Sequence, residues 1–368
     1  MRVRPTSGPL RSSWRPQGTK RALAALAVAA LLAGCGGSGG STGSEAPAGP
    51  TAPTGPTAPT GSTKPTCDGS TALCGRRLDQ VVFPGTHNSY AASEQPGWRF
   101  APQRHGIGRQ LDDGIRALLL DVHYGVPTAD GVVRTDFAAE GAEANKVAAT
   151  LPPRALRVAE RIAGPLGAGT PAGKPRLYLC HTLCELGAEP LAPELATIAA
   201  FLAAHPRTFL VLVIEDYVPA DRIAAAFRAA GLARSAAILP RHGALPTLGR
   251  LLGEGKRLAV FSEQRGGTPA WYMPAFSYIQ DTPLGAHRPD QLSCARFRGH
   301  ADSPLLLVNH WIPPFPPSPR LNAAIGKATF LRRRVRRCLR ERGFEGAIVA
   351  VDFYDRTAVV RVARELNR

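Results

Sequence analysis

The sequence predicts one α/β domain whose parallel strands close into a TIM-type (β/α)8 barrel, irregular in places. Three observations predict it. Apolar, β-branched runs recur through residues 67–368 and are nearly continuous, as strands buried on both faces are. Helix-like stretches separate them, so the connections read as β–α–β crossovers within one sheet. Each run also ends in polar residues on its C-terminal side, where such a barrel gathers its functional groups. A doubly wound sheet would bring a glycine-rich phosphate loop, and the chain has none.

Ahead of that domain, residues 1–34 read as a targeting segment. Arg2, Arg4, Arg11, Arg15, Lys20 and Arg21 form a basic region without acids, followed by the apolar stretch "ALAALAVAALLA" (22–33). Twelve apolar residues are too few to span a hydrocarbon core of about 30 Å. "LLAGC" closes the segment and resembles a bacterial lipobox, which makes Cys35 the residue to be lipidated. A plain secretory signal with a chance cysteine is the competing reading. Cysteine is rare here, and this one stands at the right place. The expectation is an exported lipoprotein, membrane-anchored through Cys35 on the outer face of a bacterial cell membrane. Residues 35–66 carry that cysteine and a Gly/Pro/Thr-rich tether containing GPTAPT twice, too polar to bury a core.

Seven cysteines minus Cys35 leaves an even set in an oxidising compartment. Cys67 and Cys74 are expected to pair, as are Cys180 with Cys184 and Cys294 with Cys338. Cys180-His181-x-x-Cys184 also has the look of half a metal site, but it lacks a second ligand cluster. The formal charge is +17, and six of the positive residues lie in the signal segment. The remaining basic surface favours anionic partners or is simply arginine-rich composition. Nucleic acid is not expected, because the basic residues are scattered and aromatics are few.

The strand candidates are "VVFPG" (81–85), "ALLLDVHY" (117–124), "LYLCHT" (177–182), "FLVLVIEDY" (209–217), "RLAVFSEQ" (257–264), "LLLVNHW" (305–311) and "AIVAVDFYD" (347–355). An eighth is sought near "AAILP" (236–240). Helical patterns fall at 191–204, 219–230, 246–254, 327–341 and 356–367. The polar groups that follow the runs are His87–Asn88, Asp121–His123, His181, Glu215–Asp216, Glu263, Asn309–His310 and Asp352. By the period of two, Leu119, Asp121 and His123 share one face, as do Val211, Val213, Glu215 and Tyr217. Asp216 then faces the helices or begins the loop. Two histidines at different strand ends can serve as base and acid, while Asn, Asp and Glu offer oxygens to a hard cation. Trp271, Tyr272, Trp311 and "IPPFPPSP" (312–319) read as a structural proline loop rather than a lip for lipid.

"CDGSTALCGRRLDQVVFPGTHNSYA", "GIRALLLDVHY", "LYLCHTLCELG", "FLAAHPRTFLVLVIEDYV" and "LLLVNHW" resemble, in order, the motifs of the phosphatidylinositol-specific phospholipase C X-domain family, in its secreted PLC-like phosphodiesterase branch. The resemblance implies His87 and His181 as catalytic residues and Asn88, Asp121 and Glu215 as Ca²⁺ ligands. It implies a phosphodiester or phospholipid head group as substrate. Calcium-dependent members usually carry an acid two residues before the ligand aspartate, and Leu119 stands there. His123, Asp216 and Arg116 are candidates for substrate contact, although Arg116 and Lys174 each read more readily as a solvated surface charge. The implied activity is that of a phosphoric-diester hydrolase or lyase, acting as a monomer. A glycerophosphodiester-type enzyme would show a Glu-Asn-Thr sequence, which is absent. A non-catalytic surface lipoprotein that binds an anionic lipid or glycan is the alternative that Leu119 favours.

Overall fold

The computed structural model describes residues 65–140, 157, 160, 161, 164, 169–313 and 316–368. The expected signal segment, Cys35 and the tether up to residue 64 lie outside them. No helix among the described residues is long and apolar enough to cross a membrane.

Eleven strands form one sheet: β1 Val82–Thr86, β2 Ala117–Pro127, β3 Val133–Thr135, β4 Arg176–Leu179, β5 Glu189–Pro190, β6 Leu210–Asp216, β7 Leu258–Ser262, β8 Tyr272–Pro274, β9 Ile279–Asp281, β10 Leu305–His310 and β11 Ala347–Val351. Eight of them run in the order β8-β7-β6-β2-β1-β11-β10-β9, every neighbouring pair parallel. The two end strands are joined by the single helical turn Ala275–Tyr278. Among the described residues β8 and β9 do not pair, so the barrel has a seam there. This is the irregular (β/α)8 barrel the sequence predicts.

Alternation sorts the strand residues into two cores. Phe83, Leu119, Val213, Phe261, Leu307 and Ala350 belong to a cluster inside the barrel. Leu118, Leu120, Leu212, Val260, Val308 and Val349 pack outward against helix residues such as Ile198, Phe227, Leu331 and Val362. Burying each such side chain contributes about 1.5–3 kcal/mol. Gly85 on β1 has a packing reason: a Cβ there would stand 3.0 Å from that of Ala117 on β2.

Four helices surround the strands close to their expected positions: Leu191–Ala204, Ala220–Ala229, Ala328–Arg342 and Val359–Leu366; Leu248–Gly253 is shorter than its pattern. Two strand expectations are corrected. "LYLCHT" supplies β4, which lies antiparallel on the outer half of β2 and is no barrel strand. "AAILP" forms only an isolated bridge, Ala236 to Leu258. The missing barrel strands are β8 and β9, three residues each and too short to register as apolar runs. All three expected disulfides are present: Cys67–Cys74, Cys180–Cys184 and Cys294–Cys338.

Candidate active site

Interior-facing positions continue past the apolar layers to the C-terminal ends of the strands. There the alternation that buries Phe83, Leu119, Val213 and Ala350 brings up His87, Asp121, Glu215 and Asp352. Asp121 and Glu215 are direct register partners across β2 and β6. His87 and Asp352 each lie one residue beyond the paired positions Thr86 and Val351.

The two histidines face one another, ring centroids 6.3 Å apart and planes at 80°. His87 Nδ1 is 2.9 Å from Asp352 Oδ1, and its ring stacks on Trp311 at 4.0 Å. His181 Nδ1 is 2.9 Å from Asp121 Oδ2 and 3.1 Å from the Asn88 amide nitrogen. The carboxylate is the partner that orders the ring, because it accepts the Nδ1 proton. In both histidines the Nδ1 position is thus taken by a buried acid, leaving Nε2 for chemistry.

Electrostatics separate the roles. Around His181, loss of water pulls the pKa down, but the hydrogen bond and charge of Asp121, backed by Glu215 and Asp352, raise it above its ordinary value. Asp121 is pushed up by burial, yet the bond and charge of His181 hold it below the usual carboxylate range. Glu215 is raised by burial and by Asp121, against the pull of Tyr217, His181 and Arg298. Asp352 is raised by burial, with the charge and hydrogen bond of His87 opposing.

Backbone strain marks the same places. Among the described residues four non-glycine positions have positive φ, and three directly follow a site residue: Asn88 (φ 43), Thr182 (φ 62) and Phe353 (φ 49). A left-handed threonine or phenylalanine costs energy, and such residues persist where the surroundings over-determine them. Each turns the chain sharply just after His87, His181 or Asp352.

The expected donors for a cation are Asn88, Asp121 and Glu215. Their chemistry suits a hard ion: two adjacent inward carboxylates, with Glu215 raised by burial and by Asp121, and a side-chain amide. Leu119, where a further acid would stand, is buried in the barrel interior. No group of three or more His, Cys, Asp or Glu among the described residues is arranged to hold a metal.

Three expected substrate contacts are corrected. Arg116 precedes β2, at the opposite end of the barrel. There it pairs with Asp68 at 2.7 Å and lines a cavity of about 530 Å³ that contains no rim residue. Asp216 points outward, buried, and accepts from Ser262 Oγ and the backbone N–H of Gln264 and Arg265, so it ties down a loop. His123 faces inward but is 1% exposed, bound to Glu140 at 2.9 Å and stacked on Tyr217. It supports Tyr217, whose hydroxyl donates to Glu215. Lys174 is exposed ahead of β4.

Two residues gain a place the sequence did not give them. Asp352 was legible as part of the rim but not as the partner of His87, since that needs β1 and β11 to be neighbours. Trp311 emerges as the ring beneath His87 instead of a loop anchor.

The PI-PLC X domain profile matches residues 166–367, more than half of the chain. The chain belongs to the PI-PLC X domain family. The matched span includes His181, Glu215 and Asp352 and starts beyond His87 and Asp121. PI-PLC X domain-containing protein 1 of Arthroderma benhamiae is 24% identical over 322 residues, covering 82% of this chain and 89% of that protein. Among solved structures, the phosphatidylinositol-specific phospholipase C of Listeria monocytogenes is 15% identical with a TM-score of 0.45. That alignment covers 81% of this chain and 98% of the other. The Staphylococcus aureus phosphatidylinositol-specific phospholipase C is 13% identical with a TM-score of 0.47, covering 80% and 95%.

Proposed function

We propose that this PI-PLC X domain protein is an exported phosphoric-diester hydrolase or lyase that cleaves a phospholipid head group by histidine acid–base catalysis. The observation that carries it is the facing pair His87 and His181, each with Nδ1 on a buried carboxylate. A binding protein has no need of two oriented proton carriers.

In the first step His87 Nε2 takes the proton of a head-group hydroxyl as its oxygen attacks phosphorus. Asp352 stabilises the imidazolium that forms, and Trp311 keeps the ring in plane. His181, its pKa raised by Asp121, gives the Nε2 proton to the departing diacylglycerol oxygen as the P–O bond breaks. The product is a cyclic phosphodiester. Water opens it in a second step with the two roles reversed, returning both protons to their starting places. A Ca²⁺ ion held by Asn88, Asp121 and Glu215 would neutralise charge on the phosphoryl oxygens.

His87→Ala and His181→Ala are each expected to lower turnover on phosphatidylinositol by about 10²–10⁴-fold. An activated leaving group that needs no proton should rescue His181→Ala more than His87→Ala. The assay is run with Ca²⁺ and with chelator: equal rates would remove the metal and spare the histidines. Wild-type turnover in both variants would leave the binding lipoprotein as the better account.

Anchoring belongs to the same proposal. The "LLAGC" sequence and the tether behind it support a lipid on Cys35, and three disulfides suit an oxidising compartment. Cys35→Ser should move the protein from the membrane fraction to a soluble or unprocessed pool. A mature-length variant that still fractionates with membranes would refute the anchor.

A further inference from the structure

A second cavity, of about 390 Å³, lies on the flank of the barrel between the 289–292 turn and the helix Ala328–Arg342. Arg333, Arg334 and Arg337 line it, together with Phe330, Leu292 and Asp290. Arg334 is 3% exposed. Its terminal nitrogens donate to the carbonyls of Asn309 (3.0 Å) and Ser293 (2.9 Å) and approach His310 Nδ1 at 3.0 Å. Its Nε is buried without a partner, and no carboxylate among the described residues pairs with it.

The neighbours add positive charge, of which Arg337's is partly offset by an ion pair. Arg333 rests on the Phe330 ring, 5.5 Å from its centroid. Arg337 donates to the Leu292 carbonyl at 2.8 Å and stands 3.8 Å from Glu341. The one acid among the lining residues, Asp290, is paired with Arg288. Burial, with the charge of Arg337, pushes Arg334 down to about 9. A guanidinium kept from water without a counter-charge is costly, and an arriving anion would offset that cost. Cys294–Cys338 fixes the helix to the 294 loop, so the cavity's walls are held in place.

We propose that this cavity is a binding site for a phosphate group, held by Arg333 and Arg337 over the buried charge of Arg334 and separate from the catalytic mouth. Two guanidinium forks over a third, buried positive charge favour a multiply charged anion with several acceptor oxygens, which phosphate is and a carboxylate is not. The site stands on its own observations and does not depend on the catalytic reading.

Calorimetric titration of the full-length protein with sodium phosphate, against sodium chloride at matched ionic strength, tests it. Wild type and His87→Ala/His181→Ala should both bind phosphate saturably. Arg333→Ala/Arg337→Ala, which leaves the buried Arg334 in place, should bind about tenfold or more weakly. The double arginine variant should melt within a few degrees of wild type in chloride but lose the rise that phosphate gives wild type. Vesicles of phosphatidylglycerol in phosphatidylcholine, compared with phosphatidylcholine alone, distinguish the source of the phosphate. If the arginine variant also loses its preference for anionic vesicles, the occupant is a lipid head group. If it keeps that preference while losing phosphate, the occupant is a soluble phosphate. No saturable binding by wild type, equal binding by the arginine variant, or loss in the histidine variant alone would overturn the proposal.

Discussion

His87 and His181 are the same residue type, but their surroundings give them different tasks. His181 is bonded to Asp121, an acid held low by that contact, and its own pKa is raised. As the proposed acid it must be protonated, so activity is present below its folded pKa and lost as pH rises through it. Asp121→Asn removes the raising charge, and the alkaline limb of the kcat profile should move to lower pH. A pH–rate series on both proteins checks this; an unmoved limb would separate Asp121 from His181. Asp352→Asn acts on the other ring, where the carboxylate orients His87 and stabilises its charged form. About 10²-fold or more should be lost from kcat with KM little changed. The sequence put all four residues on one rim because each follows an apolar run, but the pairing of His87 with Asp352 depends on β1 lying beside β11, which no local pattern encodes.

The element that carries His181 differs in kind from those that carry the others. Residues 177–182 look like a barrel strand because four apolar positions cannot say whether their partner runs parallel or antiparallel. The structure makes them a hairpin arm on β2, closed just past its end by Cys180–Cys184. That bridge and the left-handed Thr182 aim His181 back over the mouth. The two internal bridges should therefore separate stability from activity. Cys294–Cys338 closes a sequence separation of 44 and by chain entropy contributes about 4 kcal/mol, while a separation of 4 contributes about 2 kcal/mol. Replacing Cys294 and Cys338 by alanine should cost the larger stability in urea melts with turnover kept within a few-fold. Replacing Cys180 and Cys184 should cost less stability yet lower turnover by about tenfold, by loosening the ring of His181, the proposed acid. Parallel losses in both variants would mean that the hairpin bridge is only structural.

Across the whole barrel, the period of two stacks apolar layers below and ionisable groups above, so one end of the molecule concentrates buried acids. Glu215, Glu263 and Asp281 surround Arg298, which is 2.7 Å from Glu263 and 2.6 Å from Asp281. The apolar layers were legible in the sequence; this cluster was not, because Asp281 and Arg298 come from the unrecognised strand β9 and the loop after it. The cluster has a consequence for stability. Burial pushes Glu263 up; Arg298 pulls it down, but Glu215, Asp121 and Asp281 add to burial and bring it to about 8. In the unfolded chain the same carboxyl ionises near its ordinary 4.5. Between those values the folded protein holds a proton that the unfolded chain has released. Stability from this group is therefore full at the acid end and declines as pH rises, by at most ~1.4 kcal/mol per pH unit. Glu263→Gln keeps an oxygen for Arg298 but cannot titrate. Melting temperatures of the two proteins should differ little at the acid end of this window, with the variant several degrees above wild type at its alkaline end. A variant whose melting temperature falls with pH as steeply as wild type would show that Glu263 is ionised in the fold, with Arg298 outweighing burial.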